Sequence, residues 1–95
     1  MLFIDAFGNC RLAGETADLA AMAGPLDHGR LFRLITPTAV PLIVPWVATF
    51  GEVAVGDALL FEDADYAGPA LAVNQGSAAE RFDLKLDSPI RLEPA

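Results

Sequence analysis

Short apolar segments, separated by glycine and proline, divide the chain into pieces whose lengths suit β-strands better than long helices. Eight glycines and seven prolines interrupt the 95 residues, and such punctuation is typical of short strands joined by turns. The pattern predicts strands at residues 2–7, 30–36, 58–62, 70–73 and 88–93. The side chains expected to face the core are Phe32, Leu34, Leu71, Val73, Ile90 and Leu92.

One further apolar run is interrupted by proline. Residues 40–47 are β-like in composition but contain Pro41 and Pro45. Because proline cannot donate a hydrogen bond to a ladder, we expect an edge strand or an irregular crossover there. Residues 50–57, which include two glycines, are expected to form a short turn before the next strand.

Two helical segments complete the pattern. Residues 15–23 predict a helix with Thr16 as its cap, Asp18 in the first turn and a stop at the Gly-Pro pair of residues 24–25. Ser77 and Glu80 match a capping box, which predicts one helical turn beginning there. Six or seven short strands with two helical turns predict an all-β fold, either a small barrel or a sandwich. The length corresponds to a single domain over residues 1–95.

Composition and charge restrict the classes of partner. Of the residues, 54% are hydrophobic, so either the core is dense in small side chains or a partner covers part of the apolar surface. The formal net charge is −7, and the six basic residues are scattered, which argues against nucleic acid and anionic membranes as partners. A single cysteine, no signal peptide and no apolar stretch of membrane-spanning length predict a soluble, cytoplasmic protein.

The sequence contains no self-sufficient catalytic or metal site. One histidine and one cysteine cannot supply the ligands of a zinc site, and the acidic run at residues 62–65 lacks the pattern of a calcium loop. Nothing in the sequence brings Cys10 and His28 together as a nucleophile and base. We expect Cys10 to be a small buried hydrophobe and His28 a solvated turn residue.

Two segments have a composition suited to a planar heterocycle. Residues 4–9 place Phe7 and Asn9 around a tight turn, and residues 72–80 run from a strand through Asn74 into the capped turn. Carboxamides read the edge of a base, and an aromatic such as Phe7 or Phe50 stacks on its face. Alternatively, the two asparagines stabilise turns and both phenylalanines are core residues, which is the interpretation that the residues alone favour.

Four segments, in their order along the chain, resemble the C-terminal domain of the S-adenosylmethionine hydroxide adenosyltransferases, the family that includes the fluorinase and chlorinase. They are IDAFGN at residues 4–9, VPWVATF with VGD at residues 44–57, AVNQGSAAER at residues 72–81 and LKLDSPI at residues 84–90. The likeness covers nearly the whole chain and is weak between residues 10 and 41. It implies a small antiparallel β-barrel of six or seven strands.

The resemblance also implies a function. Members of the family cleave S-adenosylmethionine to adenosine and methionine, and bind it between the N-terminal α/β domain of one subunit and the barrel of its neighbour. Phe7 is then expected to pack against the adenosyl group, Asn9 to bond the adenine, and Phe50 to lie beside the base. Val73, Asn74 and Gln75 are expected along the adenine edge. The ligand is S-adenosylmethionine or adenosine, and the partners are an α/β catalytic domain in trans and other subunits of a homo-oligomer.

The sequence departs from the family pattern at two places. Leu12-Ala13 replaces a Thr-Asn pair, and Asp65-Tyr66-Ala67 replaces the turn that handles the methionine end. The expected N-terminal catalytic domain is not part of this sequence, so we expect the chain to be inactive alone. Three functions remain open: the adenosyl-recognition half of a hydrolase, a stand-alone nucleoside-binding module, or a non-catalytic assembly barrel.

Overall fold

A computed structural model describes residues 3–27, 29–38, 40–63 and 68–95 of the chain. The elements are β1 Phe3–Ile4, β2 Cys10–Arg11, α1 Thr16–Ala23, β3 Arg30–Ile35, β4 Leu42–Trp46, a 3₁₀-helix Phe50–Glu52, β5 Ala58–Asp63, β6 Gly68–Val73, α2 Ala78–Arg81 and β7 Arg91–Pro94. Within the described residues, the strands form one seven-stranded sheet in the order β1-β2-β6-β5-β4-β3-β7.

Neighbouring strands of the described sheet pair antiparallel, except β4 and β5. Those two run parallel and share a single register pair, Trp46 with Leu60. A parallel pair requires a crossover connection rather than a tight turn, and the 3₁₀-helix lies in that connection. The sheet curls into a half-barrel, which confirms the predicted all-β small-barrel class. The parallel pair is a local departure from the antiparallel pattern.

The main hydrophobic core lies on one face of the sheet. In the middle of β3, Phe32 and Leu34 are buried, whereas Leu31 and Arg33 are exposed. This alternation is the two-residue period of a strand with one covered face, and it confirms the predicted orientation. Burial of one such large side chain contributes about 1.5–3 kcal/mol to folding. The largest fully buried side chains are Phe32, Leu34, Leu59, Leu60, Leu71, Val44 and Cys10.

Strand β6 is buried along its whole length because both of its faces are covered. Leu71 and Val73 belong to the main core. Between them, Ala72 points the other way and packs with Val47 and Leu59 in a smaller cluster. The partly buried side chains over that smaller cluster are Phe50, Val53 and Phe61. The end of β6 is therefore held from both sides.

The prediction of an edge strand or an irregular crossover within residues 40–47 is wrong, since residues 42–46 form strand β4, which lies between β3 and β5. The structure accommodates Pro45 because β5 pairs with β4 only at Trp46, the following residue. There the Val47 N–H donates to the Leu60 carbonyl at 2.9 Å. Residues 42–45 have no register partner in β5. On that side they resemble an edge strand, where proline is tolerated because no ladder hydrogen bond requires its missing N–H.

The two ends of the chain form shorter strands than predicted. The strand predicted over residues 2–7 ends at Ile4, because the side chain of Asp5 organises a turn immediately after it. The chain then returns as β2, which the pattern did not predict, with Ile4 opposite Cys10. The last strand, β7, covers residues 91–94 rather than 88–93.

Both helices lie where predicted, but the residue that caps α1 differs from the prediction. Glu15 rather than Thr16 is the cap of α1, and its backbone N–H donates to the Asp18 carboxylate at 2.7 Å. The Ser77 hydroxyl accepts from the Glu80 N–H at 3.2 Å and so caps α2 as predicted. Among the described residues, no helix has the length and apolar character needed to cross a membrane.

Cys10 is fully buried in the main core, as predicted for a small hydrophobe. Burial disfavours the thiolate, and the nearby charge of Asp5 adds to this effect. Together they raise the pKa of the Cys10 thiol to about 11. The thiol is thus neutral and shielded, which is the opposite of what an activated nucleophile requires.

The burial of Cys10 predicts both slow alkylation and a loss of stability in alkali. At pH 9, iodoacetamide should modify the native chain more than about a hundredfold more slowly than the urea-unfolded chain, because reaction requires opening of the core. As the pH rises from 9.0 towards 11, the thiol ionises in the unfolded chain before it ionises in the folded chain. The free energy of unfolding should therefore fall across this range.

Cys10→Ala is the control, because it retains every other group that titrates in alkali. Urea unfolding at several pH values should give a shallower decline for the variant than for the wild type. Parallel declines, or rapid alkylation of the native chain, would contradict the assignment.

Candidate functional site

The turn between β1 and β2 is organised by the carboxylate of Asp5. Its Oδ1 accepts from the backbone N–H of Phe7 at 2.8 Å and of Asn9 at 3.0 Å. The Asp5 N–H donates to the Asn9 carbonyl, and the Gly8 N–H donates to the Asp5 carbonyl, each at 3.0 Å. Such side-chain bonds to nearby backbone are typical of aspartate in turns. They hold Phe7 at the tip, where its side chain is 79% exposed.

Gly8 docks this turn on the N-terminal end of α2. The Gly8 carbonyl accepts from the Ala79 N–H at 3.0 Å. A Cβ at Gly8 would lie 1.9 Å from the Ser77 Oγ and 2.6 Å from the Ser77 Cβ. Gly8 also has a φ of 82°, in the region that favours glycine. Only glycine therefore permits both the turn and this close approach.

A second turn follows β6 directly. Val73 ends the strand and bridges to Gly76, whose N–H donates to the Val73 carbonyl at 3.1 Å. Gln75 has a φ of 57°, the left-handed conformation of a tight turn. Ser77 then caps α2, so the two docked turns lie side by side.

Asn74 connects the second turn to the loop at residues 53–57. Its N–H donates to the Asp57 carbonyl at 3.0 Å, and its carbonyl accepts from the Gly56 N–H at 2.8 Å. The side-chain Nδ2 donates to the Val53 carbonyl at 2.9 Å. Arg81 also donates to the Gly56 carbonyl. Because Nδ2 faces a carbonyl, the orientation of the carboxamide is defined, and Oδ1 is the end that can accept from a ligand.

Phe50 opens the 3₁₀-helix that follows β4. The Glu52 carboxylate accepts from the backbone N–H groups of Ala48 and Thr49, at 2.8 Å each, and so stabilises the start of this helix. The Phe50 ring is half-buried, and its centroid lies 5.4 Å from that of Phe61 at an interplanar angle of 66°. This edge-to-face contact anchors one side of the ring.

These three segments surround one open cleft with a volume of about 500 Å³, within the range of small-molecule sites. It brings together all six residues for which the sequence predicted a site, and adds Gly76 from the same turn. Among the described residues that line it, none is titratable. They are Phe7, Asn9, Phe50, Val73, Asn74, Gln75 and Gly76.

Several residues that build the cleft were not predicted as such. Gly8, Val53 and Arg81 position its walls through the contacts described above. The glycine before Asn9 indicates a turn in the sequence. Its contact with Ser77 could not be predicted in the same way, because the two residues lie far apart in the chain. Two earlier predictions, for His28 and for Asp65-Tyr66-Ala67, lie outside the described residues.

Comparison with known proteins places these features in a family. The family model for the "SAM hydroxide adenosyltransferase C-terminal domain" matches residues 1–91. A solved structure of an uncharacterized conserved protein from Thermotoga maritima is similar, with a TM-score of 0.79 and 25% identity, over 95% of this chain and 33% of that one. The search of curated proteins finds no match.

A second solved structure, of a conserved hypothetical protein from Thermus thermophilus, has a TM-score of 0.64 and 28% identity. The alignment covers 94% of this chain and 32% of that one. This chain therefore spans about a third of the length of the two solved relatives.

Substitution of Gly8 should damage the cleft more than an ordinary glycine substitution. Gly8→Ala introduces a Cβ where Ser77 leaves no space, so the turn must separate from α2. We expect a loss of about 3 kcal/mol or more in the free energy of unfolding, measured by urea titration.

Gly29→Ala is the matched control, because Gly29 also has a positive φ, of 85°, but no atom within 4 Å of an added Cβ. It should lose only about 1–2 kcal/mol, the cost of the left-handed conformation. Equal losses for the two variants would show that the contact with Ser77 contributes nothing.

Proposed function

The chain belongs to the family of SAM hydroxide adenosyltransferase C-terminal domains, and from this we propose that its cleft binds the adenosyl group of S-adenosylmethionine. It acts as the adenosyl-recognition half of a hydrolase that cleaves S-adenosylmethionine and forms adenosine. The other half is an α/β catalytic domain, contributed in trans or by a neighbouring subunit of an oligomer.

The convergence of the six predicted residues in one cleft carries this proposal. They come from the turn after β1, the 3₁₀-helix and the turn after β6. The alternative, in which Phe7 is a core residue, conflicts with its 79% exposure. An aromatic ring this exposed beside carboxamide groups suits a ligand with an apolar face and a polar edge.

The chemistry of the lining suits adenine. Phe7 and Phe50 provide aromatic surfaces for the face of the base. The Asn9 side chain makes no hydrogen bond to any residue in the described parts of the chain, so it retains both a donor and an acceptor for the edge. Asn74 contributes its Oδ1, because its Nδ2 is already bonded to Val53. This acceptor suits the exocyclic amino group of adenine.

The same lining supports a half-site rather than a complete active site. Attack of water on S-adenosylmethionine requires groups that orient the water and stabilise developing charge. The seven described residues that line the cleft provide no ionisable side chain. Recognition is thus the role of this chain, and the groups that act on water come from the partner domain.

Adenosine binding tests the proposal. Titration of the full chain, followed by backbone amide shifts in NMR, should give saturable shifts at Asn9, Phe50 and Asn74. A half-site should bind with a Kd of about 0.1–1 mM. Phe7→Ala should raise this Kd about tenfold, because stacking of a base on an aromatic ring is worth about 1–3 kcal/mol.

Leu86→Ala is the control for this titration, since Leu86 is an exposed apolar residue outside the cleft. It should bind adenosine like the wild type. The proposal fails if adenosine causes no shifts, if the shifts lie on another surface, or if the two variants bind equally well. A non-catalytic assembly barrel would give the first of these results.

Asn74 predicts a preference between two purine nucleosides. Inosine presents a carbonyl where adenosine presents an amino group, and a carbonyl cannot donate to the Asn74 Oδ1. We expect inosine to bind about tenfold more weakly than adenosine in the same titration, as for the loss of one hydrogen bond. Equal affinity for the two nucleosides would contradict the assigned role of Asn74.

A further inference from the structure

A second cavity, here called the β4–β5 pocket, lies where the parallel strands β4 and β5 end. Its volume is about 340 Å³, which falls within the range of small-molecule sites. It shares no described lining residue with the cleft. Its described lining comes from α1, the segment after α1, the end of β4 and β5, and consists of Thr16, Leu26, Trp46, Val47, Ala48 and Glu62.

The hydroxyl of Thr16 is a polar group for which the fold provides no partner. The sequence predicts Thr16 as the cap of α1, but Glu15 is the cap and Thr16 is the first residue of the helix. Its Oγ1 is buried and makes no hydrogen bond within the described parts of the chain. Buried side-chain hydroxyls are nearly always hydrogen-bonded, so such an exception requires an explanation. A ligand that donates to Oγ1 provides one.

A change of rotamer can present this hydroxyl to the pocket. Thr16 lines the pocket although its Oγ1 is buried, so other atoms of the residue form the wall. Threonine in a helix populates two χ1 rotamers, and rotation about χ1 moves the hydroxyl without moving the helix. Because Oγ1 has no partner to lose, a donor in the pocket favours the rotamer that reaches it.

The Glu62 carboxylate gives the pocket a negative charge. Glu62 follows Leu60 by two positions in β5, so both side chains lie on one face, and Leu60 pairs in register with Trp46. Glu62 is exposed, and its side chain makes no ion pair or hydrogen bond with a described residue. Arg30 lies opposite Trp46 in β3 but is not among the described lining residues, none of which is basic. The pocket therefore favours a cation, as does the formal net charge of −7.

The rest of the wall is apolar and firmly held. Trp46 is 6% and Val47 4% exposed, and Leu26 packs against the main core. A hydrocarbon chain placed against these side chains is removed from water, which favours binding. The pocket thus combines an apolar wall with a carboxylate and a hydroxyl, and it suits a cation with a hydrocarbon body.

We propose that the β4–β5 pocket binds a small aliphatic amine in its ammonium form. The ammonium group donates to the Glu62 carboxylate and to the Thr16 Oγ1. The hydrocarbon chain lies against Leu26, Trp46 and Val47. A primary ammonium group carries three donors, enough for both oxygens, whereas a quaternary ammonium group carries none. The cleft takes no part in this contact, so the proposal is independent of adenosyl binding.

Titration of the full chain with n-butylamine tests this site, at constant ionic strength and at pH 7, where an aliphatic amine is charged. Trp46 is the single tryptophan of the sequence and lines the pocket, so its fluorescence reports on binding. Fluorescence and the amide shifts of Ala48 and Glu62 in NMR should change saturably, with a Kd of about 1 mM. n-Butanol lacks the charge and tetramethylammonium lacks the donors, and each should bind at least about tenfold more weakly.

Thr16→Val separates contact with the ligand from a structural role. Removal of a buried hydroxyl without a partner should leave the urea midpoint of unfolding unchanged or raise it, yet weaken butylammonium binding about tenfold. Glu62→Gln, which removes the charge and keeps the size, should also weaken binding about tenfold. Glu80→Gln, at an exposed glutamate outside the pocket, should bind like the wild type.

Several results would overturn the proposal. They are the absence of saturable changes up to about 50 mM amine, equal binding of the three probes, and wild-type affinity in Thr16→Val or Glu62→Gln. A lower urea midpoint for Thr16→Val would show that the fold itself uses the hydroxyl, which contradicts the premise. Circular dichroism establishes that each variant is folded before its affinity is compared.

Discussion

The close approach of Gly8 to Ser77 is the contact on which the cleft depends. It joins the turn after β1 to the start of α2, and the hydrogen bond from the Ala79 N–H to the Gly8 carbonyl, at 3.0 Å, fixes the orientation. Without that contact, the turn that carries Phe7 and Asn9 would be held only through the pairing of β2 with β6. That pairing fixes the strand but not the tip of the turn, so the positions of both side chains depend on the contact between Gly8 and Ser77.

The sheet supplies the rigidity against which the two turns are docked. β6 is covered on both faces, so the turn that follows it starts from a fixed strand end. Asn74 then joins that turn to the loop at residues 53–57. The described lining of the cleft is uncharged, although the formal net charge of the chain is −7. For the proposed ligand, the overall field would favour the approach of the cation S-adenosylmethionine, and shape and hydrogen bonds would act on its neutral base.

Much of this structure follows from local sequence, and the remainder depends on contacts between distant segments. The alternation around Phe32 and Leu34, the Ser77 cap and the turn residues were predictable because they depend on neighbouring positions. The short strand β2 was not, since two residues, Cys10 and Arg11, carry no periodicity. The position of β4 was also missed, because Pro45 argues for an edge and only the single parallel pair at Trp46 reveals its second neighbour. Composition pointed to Phe7, Asn9, Phe50 and Asn74, and the family resemblance indicated the full set of six cleft residues. Their convergence appears only in three dimensions.

Intermolecular nuclear Overhauser effects between adenosine and the ¹³C-labelled chain test the central claim most directly. The claim is that the cleft holds the base between its aromatic and carboxamide side chains. The account predicts contacts from the adenine H2 and H8 protons to the rings of Phe7 and Phe50 and to the methyl groups of Val73. The account would be contradicted if, in the saturated complex, the adenine protons showed Overhauser effects only to side chains elsewhere and none to Phe7, Phe50 or Val73.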